Sequence, residues 1–229
     1  LMIAMNFRWE YFGAGIFHLK RLIDEGRLGK VYFIRAHYLR RQTFPMTNYE
    51  RWNLSQEHSG GGVLIDLGSH MLDLAMWLLD DYQPQSVNGM TYNALSKYAE
   101  VDDFASGSVT MSNDARVQID LAWNSHCRSS WQIDVYGEHG GAVVSAGGHP
   151  DDRRLTLFSS QDTVPVSEEV SVADFSLPME SSLQAHVVNC LKAGEASQCS
   201  AERALQVTRV IEAWYRSSAS GRDVLILDV

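Results

Sequence analysis

From Ser86 to Val170 the chain repeats one signal. Short runs of β-branched, aromatic and aliphatic residues are separated by turn residues such as Ser112-Asn113-Asp114 and Gly137. Ser86–Asn93, Asp103–Met111, Arg116–Asn124 and Trp131–Tyr136 read as strands. Ala142–Ser145, Arg154–Phe158 and Val164–Val170 read as shorter ones, with Gly147-Gly148 and Asp151-Asp152 between them. Strands this closely spaced specify a largely antiparallel sheet.

Helical spacing brackets that region. Phe17, Leu19, Leu22 and Ile23 recur on one face of Phe17–Glu25, which stops at Gly26. Val63–Leu79 is a second helix, and Met179–Lys192 and Ala201–Ser217 are two more. Ala193-Gly194 ends the third and Ser200 is positioned to cap the fourth. Val31–Arg41 alternates as a strand after the Leu28-Gly29-Lys30 turn, and Leu1–Phe7 and Val224–Leu227 are short terminal strands. Gln42–Gly62 is polar, contains Pro45 and reads as a long loop of the kind that carries function. The expected fold class is therefore α+β: residues 1–229 form one large open, mainly antiparallel sheet with helices packed on one face. Strand residues apolar at both parities (Phe33, Ile34; Val117, Ile119, Leu121) suggest that the other face is covered too. A second copy of the chain is the expected cover, giving a homo-oligomer through the open sheet face.

Composition narrows the function. The 229 residues carry 19 Lys and Arg against 28 Asp and Glu, a net charge of −9. That balance offers no basic footprint for nucleic acid or an anionic membrane surface, so neither partner is expected. The apolar helix Val63–Leu79 is interrupted by Asp66, His70 and Asp73, against a transmembrane reading. The opening Leu-Met-Ile-Ala-Met-Asn-Phe-Arg has neither a basic leader nor a small-residue cleavage site. Cys127, Cys190 and Cys199 are an odd number without CxxC spacing, which speaks against a disulfide framework or a thiolate zinc site. A reducing cytoplasm is the expected compartment.

The segment Ser59–Asp73 holds the candidate chemistry. Gly60, Gly61 and Gly62 run directly into a helix, where missing side chains let a ligand or another backbone approach the N-terminus. Asp66 and His70 are four residues apart and Asp73 follows three later, so all three fall on one helical stripe. An imidazole beside a carboxylate suits proton transfer near neutral pH. A plain Asp–His pair on a solvated helix face has the same spacing. The triple glycine and the apolar remainder of the helix favour a site. No His or Cys cluster adds metal-ligand spacing, so no metal is expected, and the P-loop pattern is absent.

Other residues are weaker candidates. Arg8, Arg40 and Arg41 carry charge suited to hydroxyls or a carboxylate, although surface arginines are commonly only solvated. Trp52 and Asn53 lie in the long loop and could close over a sugar ring or simply pack. Asn124 and His126 end a strand whose loop could reach the site, whereas Cys190 sits among Val187, Val188 and Leu191 as a core residue would.

These residues resemble the signature of the C-terminal domain of the glucose–fructose oxidoreductase / inositol dehydrogenase / rhizopine-catabolism (Gfo/Idh/MocA) family, a GGG-x-x-x-D-x-G-x-H-x-x-D run. Gly60, Gly61, Gly62, Asp66, Gly68, His70 and Asp73 all match it. The resemblance continues in order through Asn6-Phe7-Arg8, Glu25–Val31, Val135–Gly141 and Ile211–Ser217.

The resemblance implies hydride transfer between NAD or NADP and a hydroxyl-bearing carbon of a sugar or cyclitol. His70 would be the general base, and Asp66 would orient substrate or tune His70. Arg8, Trp52, Asn124, His126 and Asp73 are the substrate-binding candidates, with a helix-anchoring role open for Asp73. Gly61 and Gly62 would face the cofactor. It also implies an N-terminal Rossmann domain holding most of the cofactor. This chain contains no GxGxxG after a strand and no E-K-P motif, whose lysine would join the Asp and His, and Leu1–Met5 is expected to correspond to that domain's last strand. The chain alone is therefore expected to be inactive. A non-enzymatic, self-associating sheet domain is the alternative, and a metal-dependent hydrolase or isomerase using Asp66, His70 and Asp73 is a weaker one.

Overall fold

A computed structural model of the protein describes residues 13–41, 52–94, 99–146, 154–171 and 182–226. Alternation produces the strands β1 (Val31–Arg41), β2 (Pro84–Tyr92), β3 (Phe104–Met111), β4 (Arg116–Ser125) and β5 (Ser130–Gly137). They are followed by β6 (Gly141–Ala146), β7 (Arg154–Gln161), β8 (Val164–Val170) and the short β9 (Val224–Leu225). Among the described residues these nine form one sheet in the order β8-β7-β6-β5-β1-β4-β3-β2-β9. Every pairing is antiparallel except β1 with β4. The α+β expectation with a mainly antiparallel sheet is met, and β1 inserts between β4 and β5, which are neighbours in sequence. The strand proposed at Leu1–Phe7 lies outside the described residues.

Pleating sorts each strand between two faces, and registration aligns the apolar sets. Val87, Val109, Val117, Ile34, Val135, Ala142 and Leu157 sit side by side across seven strands. Ile119, Ala36, Ile133, Val144 and Leu155 form the next row, and all five are buried. The helices α1 (Gly13–Asp24), α2 (Gln56–Ser59), α3 (Ser69–Leu79), α4 (Leu183–Ala193) and α5 (Ala201–Ser220) complete the fold. Ser200 accepts a hydrogen bond from the Arg203 amide at the start of α5, and Gly194 ends α4 in the left-handed conformation. Trp214 of α5 is fully buried over β2 and β3. It fits because Gly89 and Gly107 lack side chains, a Cβ on either lying within 2.6 Å of its ring.

Three expectations change. First, Val117, Ile119 and Leu121 are two apart, so all three point to the helix-covered face and say nothing about the other. The centre of the open face is polar instead: Ser106, Asp120, His37 and Gln132 form one row, and Ser108, Gln118, Arg35 and Asp134 another. Apolar residues flank it: Phe33 meets Tyr136 edge-to-face at 5.4 Å near exposed Phe158 on one side, and exposed Met90 and Tyr92 of β2 lie on the other. Second, the loop proposed for 42–62 is partly ordered into a 3₁₀ turn, Trp52–Leu54, and α2, with Leu54 buried in the core; residues 42–51 lie outside the described set. Third, the helix proposed from Val63 begins as a π turn, Leu64–Gly68, before α3. The helical run Gln56–Leu79 is apolar and long enough to cross a bilayer by composition, yet 72% of its apolar stretch is buried inside the fold.

Candidate active site

The glycine run is held by one acidic residue. The Asp102 carboxylate accepts the Gly62 amide at Oδ1 and the Leu64 amide at Oδ2, both at 2.9 Å, while the Asp102 carbonyl accepts the Val63 amide at 2.9 Å. Three consecutive N–H groups that a helix start leaves unpaired are thereby satisfied, and a negative charge sits at the positive end of the helix. Tyr215 of α5 donates its hydroxyl to the same Oδ1 at 2.8 Å. Burial, and then the Asp102 charge, push the Tyr215 phenol above its ordinary titration range. Gly62 must be glycine because a Cβ there would lie 1.9 Å from the Asp102 carbonyl oxygen, and a Cβ on Gly61 would lie 2.2 Å from the Tyr215 hydroxyl.

Beyond this clamp the π turn presents Asp66, and His70 follows in the first turn of α3. A single inserted π turn is a frequent feature of functional sites. Gly68 lets the turn pack against the sheet, a Cβ there being 3.1 Å from Leu121 and 2.9 Å from Leu64. Asp66 and His70 line one open pocket of about 340 Å³. Trp52, Asn53, Ser59, Ser69 and Trp123 complete its walls together with Gly61, Gly62 and Ile65. Trp123, near the end of β4, donates its indole N–H to Asp66 Oδ2 at 2.7 Å.

His70 is tuned toward neutrality. Desolvation by burial dominates and holds its pKa below the ordinary 6.5; the Asp66 and Asp73 carboxylates pull upward and the Arg40 guanidinium pushes downward. The ring is therefore uncharged at neutral pH and can accept a proton. The carboxylates beside it stabilise the cation that would form.

The structure gathers Asp66, His70, Trp52, Gly61 and Gly62 around the same pocket and leaves others out of its walls. Asp73 is buried, its Oδ1 accepts the Tyr82 hydroxyl at 3.0 Å, which anchors α3, and its charge acts on His70. The Tyr82 contact favours the helix-anchoring role left open for Asp73 over the substrate contact. Asn124 lies where the β1–β4 register shifts, is buried and is absent from the pocket walls; His126 is exposed beyond the end of β4. Arg40 stacks on Tyr38, with its guanidinium carbon 4.9 Å from the ring centroid, and donates to the Tyr38 hydroxyl at 3.2 Å. Arg8 lies outside the described residues.

Gly61 and Gly62 meet the expectation of close approach differently from the way the motif suggests. The Gly62 amide is committed to Asp102, and the approaching backbone is the chain's own. Both glycines also line the pocket that Asp66 and His70 share. Among the described residues no three His, Cys, Asp or Glu side chains are grouped to hold a metal ion.

Three residues of the site escaped sequence reasoning: Trp123, Asp102 and Tyr215. Trp123 shares strand parity with Val117, Ile119 and Leu121, which puts it on the helix face; that signal was present. Nothing local marks Asp102 or Tyr215, whose partners are 40 and 113 positions away.

Comparison with known proteins finds relatives by sequence and by fold. The family model described as the GFO/IDH/MocA C-terminal domain matches residues 16–143, more than half of the chain. A D-xylose 1-dehydrogenase [NADP(+)] of Haloarcula marismortui is 28% identical over 171 residues, which cover 74% of this chain and 46% of that protein. The chain thus spans less than half the length of that relative. The solved aldose-aldose oxidoreductase from Caulobacter crescentus, complexed with glycerol, superposes with a TM-score of 0.80 at 23% identity, covering 98% of this chain and 63% of that one. A levoglucosan dehydrogenase in complex with NADH superposes at 0.80 with 19% identity, covering 96% and 64%. At these identities the two superpositions establish a shared fold. The family match rests on sequence, and by it this chain belongs to the GFO/IDH/MocA family as a C-terminal domain.

Proposed function

We propose that this chain is the substrate-binding and catalytic part of a nicotinamide-dependent dehydrogenase acting on a neutral sugar- or cyclitol-like alcohol. The observation that carries the reading is the convergence of half-buried His70 and exposed Asp66 on one open pocket. When bound, NAD or NADP supplies the hydride acceptor; the xylose dehydrogenase relative is named for NADP(+) and the levoglucosan dehydrogenase structure holds NADH. The pairing of the Gly62 amide with Asp102 supports assigning the dinucleotide's phosphates to a separate cofactor domain.

In this reading the substrate hydroxyl lies against His70. As the C–H bond of the carbinol carbon breaks and its electron pair leaves as hydride, the O–H proton passes to the neutral imidazole and a carbonyl forms. Asp66 and Asp73 stabilise the imidazolium by charge. Trp52, 69% exposed at the pocket wall, offers an aromatic face to the apolar side of a sugar ring. The proposed assembly is a homo-oligomer through the open sheet face in a reducing cytoplasm, and the proposed partner is a small polyol.

The test is a dehydrogenase assay of the full-length protein with neutral aldoses and either NAD or NADP. His70→Asn keeps a polar side chain and removes the base, and should lower kcat by about a hundred-fold or more. Wild-type turnover in that variant would reject the assignment. Sub-micromolar nicotinamide binding by these 229 residues alone would overturn the separate cofactor domain.

A further inference from the structure

We propose that Trp123 is a positioning residue of this site: its indole N–H holds Asp66 in one orientation beside His70, and it acts on the chemistry only through Asp66. The inference rests on the proton-transfer reading above and adds a residue to it.

The asymmetry of the pair gives the direction of control. Asp66 is exposed on the π turn, where a short carboxylate has several open rotamers, whereas Trp123 is 4% exposed and locked into β4. The Trp123 backbone amide donates to the Asp103 carbonyl at 2.9 Å, and the Asp103 amide donates to the Tyr92 carbonyl at 3.0 Å. The neighbouring Asp102 holds the amides of Gly62, Val63 and Leu64. The dipeptide Asp102-Asp103 therefore fixes both sides of the contact: the turn that carries Asp66 and the strand that carries its donor. An indole N–H donates only, and a bond to a carboxylate is among the stronger neutral-to-charged hydrogen bonds. Rotating Asp66 away would break that bond and move its charge from His70.

Trp123 also lines the pocket, so an alternative role is stacking on the substrate. The two roles separate kinetically. Loss of orientation lowers kcat at constant KM, while loss of a stacking platform raises KM.

The decisive experiment follows the His70 ring by NMR titration in the full-length protein and needs no substrate, so it stands or falls separately from the dehydrogenase reading. Asp66 raises the His70 pKa, so Asp66→Asn should lower it. Trp123→Phe keeps the aromatic bulk, removes the donor and should lower it in the same direction. In the double variant it should add nothing to Asp66→Asn. An unchanged or raised titration in Trp123→Phe, or an equal fall on both backgrounds, overturns the proposal. As a check that spares the tryptophan, Asp66→Ala should shift the Trp123 indole N–H resonance upfield, and an unmoved resonance also overturns it. In the enzyme assay Trp123→Phe should reduce kcat about 10-fold, the equivalent of roughly 1.4 kcal/mol, with KM unchanged; a KM rise with kcat preserved assigns the ring to stacking instead.

Discussion

The amide of Gly62 and the carboxylate of Asp102 meet at 2.9 Å, and the same glycine has no room for a side chain because the Asp102 carbonyl oxygen occupies the place a Cβ would take. Glycine here serves a backbone contact between two distant segments of the chain, and the Asp66–His70 turn begins where that contact ends.

Gly62→Ala should therefore be among the most damaging small substitutions in the chain. The blocking atom is backbone, so relief requires moving the clamp itself; a loss of about 1–3 kcal/mol or more is expected. Gly26→Ala is the comparison, since nothing lies within 4 Å of its Cβ position and the cost comes from its φ of +71° alone. Urea unfolding should rank Gly62→Ala well below Gly26→Ala, and equal midpoints would refute the steric argument.

Tyr215→Phe removes one donor from a carboxylate that keeps the Gly62 and Leu64 amides. The expected cost is about 1–3 kcal/mol, that of an under-satisfied buried acceptor. The phenol titrates above its unfolded value of 10.0 in the folded state. Its contribution should thus be complete below that pH and decline as pH rises through the folded pKa. Thermal melts of both proteins from pH 8 to 11 should show the wild-type advantage shrinking at the alkaline end.

His70 titrates below 6.5 because burial outweighs the carboxylates. Dehydrogenation needs the neutral ring, so the acid limb of kcat/KM should lie below pH 6.5. Asp66→Asn removes an upward pull and should move that limb lower still, even as the maximal rate falls. Stability follows the same sign: the unfolded ring binds protons more readily, so this contribution is present above pH 6.5 and is lost as pH falls through the folded value. A limb that moves upward in Asp66→Asn would contradict the electrostatic assignment.

The open sheet face should mediate self-association at its aromatic flank. Tyr136 is 41% exposed against Phe33, with Phe158 beside it at 43%. A carboxylate introduced by Tyr136→Asp should weaken the assembly at least ten-fold in sedimentation, since burying an unpaired charge costs well over 1.4 kcal/mol. A strictly monomeric wild type at micromolar concentration removes the prediction.

The local code was read well where one period dominated. Val31–Arg41 and Val164–Val170 have the bounds that alternation predicts; Ser200 caps a helix through its hydroxyl, and Gly194 ends one because without a Cβ it takes a positive φ. Face assignment failed at Val117, Ile119 and Leu121 because residues two apart share a face, and a polar open face was hidden behind an apolar impression. Asp73 matched the motif as closely as Asp66 did, yet faces Tyr82 in the core.

By itself the amino-acid order determined the strands, the four longer helices, the caps at Ser200 and Gly194 and the Gly–Asp–His segment, because each depends on contacts within a few residues. The tertiary structure alone decided that β1 enters between β4 and β5, that Asp102 grips the glycine turn, and that Trp123 reaches Asp66 from 57 positions away. Those pairings join atoms whose neighbours in sequence carry no period in common, so they exist only once the sheet has brought its strands into register.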